Sequence, residues 1–82
     1  MAGMPDWFGW TDSAELGHAI LVAREAAVLT QSALAKRAGL NRKLVYRMES
    51  GRSVGVDKAI RVLAALGLAP LIVPSELLRM LR

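Results

Sequence analysis

The chain has 82 residues, 54% of them hydrophobic, so it makes one small domain with apolar surface left over for a partner or a second copy. It has no cysteine and one histidine, His18, which leaves neither a disulfide framework nor a thiolate metal site and argues against zinc. The start carries no basic region followed by an apolar run, and the longest uncharged stretch, between Arg61 and Glu76, is broken by Gly67, Pro70 and Pro74. That stretch is shorter than the ~20 apolar residues a spanning helix needs. The expectation is a soluble, cytoplasmic chain that neither enters nor binds a membrane.

The net charge of +4 is unevenly distributed. Residues 1–35 carry −3, residues 36–52 carry +5, and residues 53–82 carry +2. Positive charge gathered on one short element is the electrostatic footprint of a nucleic-acid binder. A solvated basic face is the plainer reading, and local geometry has to decide between the two.

Residues 1–11 hold Trp7, Phe8 and Trp10, with two glycines and a proline that disfavour a long regular element. They form an N-terminal arm whose aromatics either fold back over the core or stand out as an anchor for another protein. Asp12 or Ser13 can cap a first helix, with Glu15 favourable in its first turn. Leu16, Ala19, Ile20, Ala23 and Ala27 recur at helical spacing, predicting a helix to about Leu29.

The stretch from Thr30 to Gly51, TQSALAKRAGLNRKLVYRMESG, reads as two short helices joined by a tight turn. Thr30 caps the first, Gly39 ends it in the left-handed conformation, Leu40 points inward, and Asn41 caps the second. Within the second helix Val45 and Met48 share one face. Arg42, Lys43, Tyr46 and Arg47 share the other, since 42/46 and 43/47 are four-residue neighbours. An outward face of three cations and one phenol suits a polyanion.

After the loop RSVGV, a helix is expected from about Asp57 to Leu66, with Val56, Ile60, Leu63 and Leu66 inward and Lys58 and Arg61 outward. LAPLIVP then reads as a short buried strand, limited to an edge or a two-stranded ribbon by Pro70 and Pro74. In a helical chain its simplest partner is the same strand of a second copy, through Leu68, Leu71, Ile72 and Val73. The final SELLRMLR can form one or two helical turns capped by Ser75, with Leu77, Leu78 and Leu81 inward. The organisation is thus an arm over 1–11, a helix-turn-helix domain over 12–67, and a dimerisation segment over 68–82. Nothing favours an enzyme: no carboxylate spacing suggests an acid–base pair, and GRSVGVDK lacks a phosphate-cradling glycine pattern. No catalytic residue, metal or cofactor is expected.

The arrangement of Gln31, Ala35, Gly39, Leu40, Val45, Met48, Glu49 and Gly51 resembles the Cro/repressor, or XRE, class of helix-turn-helix domains over roughly residues 13–67. The resemblance implies an all-α, compact, lambda-repressor-like bundle of about five helices. Within that class, the two-helix stretch with the trailing ALGLAPLIV is similar to HipB-type antitoxins. Their C-terminal strand pairs between subunits and their dimer represses its own toxin–antitoxin operon. The resemblance implies a DNA-binding repressor on a palindromic operator, working as a homodimer with a kinase-like toxin as possible partner. A stand-alone XRE-type regulator is the alternative. It also implies that Gln31 and Ser32 touch phosphate and base edges, and that Asn41, Arg42 and Lys43 lead the recognition helix. Arg47 then reads a base one turn on, and Arg24 pairs with Glu49 to fasten helix one to the recognition helix. An exposed, unpaired Arg24 and Glu49 is the other reading. Thr30, Gln31 and Arg52 would fix register on the phosphates. Leu44 and Tyr46 depart from the class pattern. Leu44 can pack at the core edge or meet a thymine methyl, and Tyr46 can donate to a phosphate or close over a base.

Overall fold

The structure, a computed structural model, describes Trp10 and residues 12–81. Most of the arm, with Trp7 and Phe8, and the inward placement expected of Leu78 and Leu81 lie outside the described residues. The chain forms α1 (Ser13–Ala26), α2 (Gln31–Ala38), α3 (Arg42–Glu49), α4 (Val56–Ala65) and α5 (Ser75–Leu81). Three side chains close the first turns. Asp12 Oδ1 accepts from the Glu15 amide at 2.8 Å, Thr30 Oγ1 from Ala33 at 3.0 Å, and Asn41 Oδ1 from Leu44 at 3.0 Å.

Each of α1 to α4 ends in the same way. The amides of Leu29, Leu40, Arg52 and Leu68 reach back to the carbonyls of Arg24, Ala35, Arg47 and Leu63, at 3.1, 2.9, 3.1 and 2.8 Å. This bond encloses one left-handed residue and satisfies carbonyls that would otherwise face solvent alone. After α2 that residue is Gly39, with φ 71°; after α1 it is Val28, with φ 57°. A β-branched side chain in that conformation costs on the order of 1–3 kcal/mol. Val28 therefore ends α1 at Ala26, short of the Leu29 expected from periodicity, and leaves Ala27 exposed.

The core is a cluster of Ile20, Leu34, Ala35, Ala38, Val45, Met48, Val62 and Leu63, each buried. It joins α1 to α3, α2 to α3, and α2 to α4. No buried side-chain polar atom among the described residues lacks a partner. Helix α4 turns Leu63 and Leu66 inward and Lys58 and Arg61 outward as expected, but not Val56 and Ile60. Val62 and Leu63 are buried and Ala59 and Leu66 pack beside them, while Val56 is 73% and Ile60 43% exposed. Asp57, Lys58 and Arg61 form one polar stripe, but the apolar arc opposite is wide, and docking against α2 selects the side of it that holds Val62 over the side that holds Val56 and Ile60.

The strand expected in LAPLIVP is not formed. Among the described residues there is no strand, and residues 68–74 run as irregular chain between α4 and α5. A ladder needs a second strand, and the described residues supply none. Leu68 packs onto the core of its own chain, whereas Leu71 and Ile72 are almost fully exposed. In α5, Leu77 stands exposed rather than inward. No described helix is long and apolar enough to cross a membrane.

Candidate nucleic-acid interface

A hydrogen-bond network positions the two-helix unit before any outward side chain is considered. Glu49, at the end of α3, turns inward and accepts from Arg24 of α1, Nε to Oε2 at 2.6 Å and Nη2 to Oε1 at 3.0 Å. Gln31, the first residue of α2, donates its amide to the same Oε1 at 3.0 Å. The remaining Arg24 nitrogen, Nη1, donates to the Leu29 carbonyl at 2.8 Å. One guanidinium thus links α1, the turn before α2 and the end of α3. The fork geometry needs arginine, because an ammonium cannot offer parallel donors along one plane. Hydrogen bonding to Glu49 is the main cause that holds the Arg24 guanidinium above its ordinary pKa, against partial desolvation. A raised cation pKa contributes stability present at all pH below the ordinary value and lost only as pH climbs through the raised one. Arg24 therefore stays charged across the physiological range.

With Glu49 turned inward, the outward face of α3 has no acid. Arg42, Lys43, Tyr46 and Arg47 are exposed, Val45 and Met48 are buried opposite them, and Leu44 is half-buried on the flank. Arg52 stands exposed just beyond the helix. Among the described residues the Arg24–Glu49 contact is the ion pair formed, so these four cations face water without carboxylate partners. Thr30, Ser32 and Asn41 are exposed at the starts of α2 and α3. The oxygens of Thr30 and Asn41 are occupied by helix amides, which leaves the Thr30 hydroxyl proton and the Asn41 amide to donate outward. Gln31 is half-buried, and its amide is committed to Glu49.

Two contacts here leave little trace in the sequence, one at Gly17 and one made by the outward Arg61. Gly17 lies mid-helix in α1, where a β-carbon would fall 2.0 Å from the Met48 carbonyl oxygen. Glycine costs about 1 kcal/mol against alanine inside a helix, and that unexplained cost was the available signal. Arg61 reaches from α4 over the turn between α2 and α3, and no local pattern announces this. No group of three or more potential metal ligands occurs among the described residues.

A short helix held by its buried face, with a second helix across it and cations projecting from its free side, defines a helix-turn-helix DNA-binding domain. A family model described as helix-turn-helix matches residues 20–72, and the chain belongs to that family, the XRE type. A solved crystal structure, of a hypothetical transcription factor NHTF from Neisseria, is similar at 26% identity and a TM-score of 0.68. The similarity covers 98% of this chain and 99% of that one. No curated protein matches the chain.

Proposed function

We propose that the protein is a sequence-specific transcriptional repressor that binds palindromic DNA as a homodimer in the cytoplasm. The observation that carries this reading is the acid-free outward face of α3, where Arg42, Lys43 and Arg47 are free because the one acid of the helix is spent on Arg24. In this reading α3 enters the major groove and one of those cations meets the two acceptors of a guanine edge. Thr30, Ser32, Asn41, Tyr46 and Arg52 donate to phosphates and set register, with no sequence information of their own. Gln31 contributes mainly by orienting Glu49. The exposed Leu71 and Ile72, beside the half-buried Val73, support self-pairing of the 68–74 segment. A two-fold dimer places half-sites about one helical turn, ~34–36 Å, apart.

Selection of bound duplexes from a random pool should return a palindrome with that spacing. On single-base variants of the selected site, Arg42→Ala should relax discrimination at one base pair by ~1–3 kcal/mol and leave the others unchanged. Equal loss on every variant would overturn the assignment of Arg42 to a base.

A narrower reading, a HipB-type antitoxin, is favoured by an apolar groove of about 430 Å³ lined by Trp10, Val54, Val56, Ile60, Pro70 and Ile72. A monomer of this size has little reason to leave such a groove open. Expressed with the product of an adjacent gene, the protein should co-purify with it. A chain that purifies alone under those conditions is a stand-alone regulator.

A further inference from the structure

We propose that Arg61 is an additional phosphate-binding residue of the DNA interface, supplied by α4 from outside the two-helix unit. The assignment rests on the DNA-binding reading above. A β-carbon built on Gly39 would lie 2.9 Å from Arg61 Nη2 and 3.9 Å from Cζ, so the guanidinium sits directly over the turn between α2 and α3. Gly39 and Arg42 are three residues apart, which puts the start of the recognition helix within ~11 Å of that turn. The left-handed backbone at Gly39 is what calls for glycine there, since the Arg61 tip is flexible and could shift from a β-carbon.

Among the described residues Arg61 has no ion-pair or hydrogen-bond partner. Asp57 lies four residues earlier on the same helix, the spacing at which an acid and a cation ordinarily pair, yet no such pair forms. Two of the four carbonyls that end α2 are already used: Ala35 accepts from Leu40 at 2.9 Å and Lys36 from Gly39 at 3.2 Å. Among the described residues Arg61 donates to no carbonyl of α2, the free ones at Arg37 and Ala38 included, which argues against the plain role of a helix-end cap. Its neighbours along the chain at this turn are Lys36, Arg37, Arg42 and Lys43, and no acid occurs from residue 26 to residue 48. A turn flanked in sequence by four cations and overlain by a fifth, with no acid in the segment, is an electropositive place that favours an anion beside it. A DNA phosphate beside the first turn of α3 is that anion.

The test measures affinity for the selected duplex and for a shuffled duplex over a range of salt, using the full chain and its Arg61→Ala and Arg61→Lys variants. Arg61→Ala should weaken both duplexes alike, by about three- to tenfold at physiological salt. It should also flatten the slope of log affinity against log salt by ~0.9 per residue, or ~1.8 for a dimer. Arg61→Lys, which keeps the charge, should restore most of the slope. An unchanged slope in Arg61→Ala overturns the assignment, and a lowered melting temperature alongside it marks Arg61 as a structural clamp of the turn. Failure of the unmodified protein to bind any duplex at low salt would instead remove the DNA-binding reading, and this assignment with it.

Discussion

Gly17→Ala should cost about 3 kcal/mol or more, a large share of the roughly 5–15 kcal/mol that holds an ordinary domain together. The added methyl would lie 2.0 Å from the Met48 carbonyl oxygen, 3.1 Å from the Met48 carbonyl carbon and 3.2 Å from the Gly51 amide nitrogen. All three are backbone atoms, so no side chain can rotate aside. Helix α1 must back away from the end of α3, and that movement pulls Ile20 from Val45 and Met48 and Arg24 from Glu49. Thermal melts followed by circular dichroism should show a midpoint lower by more than ~10 °C, since each kcal/mol is worth ~4–8 °C in so small a domain. An alanine variant within a degree or two of the parent would mean that α1 and α3 are not in this close contact.

Glu49→Gln should destabilise by about 2–4 kcal/mol, despite adding and removing almost no volume. Glu49 is 6% and Arg24 13% exposed at the side chain, and the carboxylate accepts three hydrogen bonds. An amide presents one oxygen and a pair of donors, so in either orientation Arg24 faces a donor in place of an acceptor, and in one of them Gln31 does as well. The charge of Arg24 also loses its partner while staying largely desolvated. Replacing both partners, as Arg24→Met with Glu49→Leu, should cost less than Glu49→Gln alone, because no charge is then left behind. Denaturant melts of the single and double variants give the coupling directly. A loss below ~0.5 kcal/mol for Glu49→Gln would reduce the pair to the worth of a solvent-exposed bridge.

How much of this was legible in the sequence depends on the range of each interaction. The caps at Thr30 and Asn41 and the left-handed Gly39 act over three or four residues, so residue type and spacing reveal them. The buried side of α3 was equally plain, because Val45 and Met48 are its strongly apolar positions apart from Leu44 on the flank. The face of α4 was legible in part: Leu63 and Leu66 lie inward and Lys58 and Arg61 outward as the pattern suggests, but Val56 and Ile60 are as apolar as Val62 and only the docked surface of α2 separates them. The end of α1 was misplaced because Val28 adopts a conformation that residue type alone argues against. Contacts between distant residues left no local trace. Arg24 and Glu49 are 25 positions apart, and their pairing was suggested by family resemblance. Gly17 against Met48 and Arg61 over Gly39 had no such help. The outward placement of Arg42, Lys43, Tyr46 and Arg47 was legible residue by residue, but the turn of Gln31 toward Glu49 and the scaffolding at Gly17 were not.

The central claim is that the free face of α3 reads duplex DNA. Equilibrium binding of the full chain to the selected palindrome, a shuffled duplex and a single-stranded RNA of equal length, each over a range of salt, addresses it most directly. The palindrome should bind at least ~10³-fold more tightly than the shuffled duplex at physiological salt, and both duplexes should weaken steeply as salt rises. Equal affinity for the two duplexes, or preference for the RNA, would contradict the account.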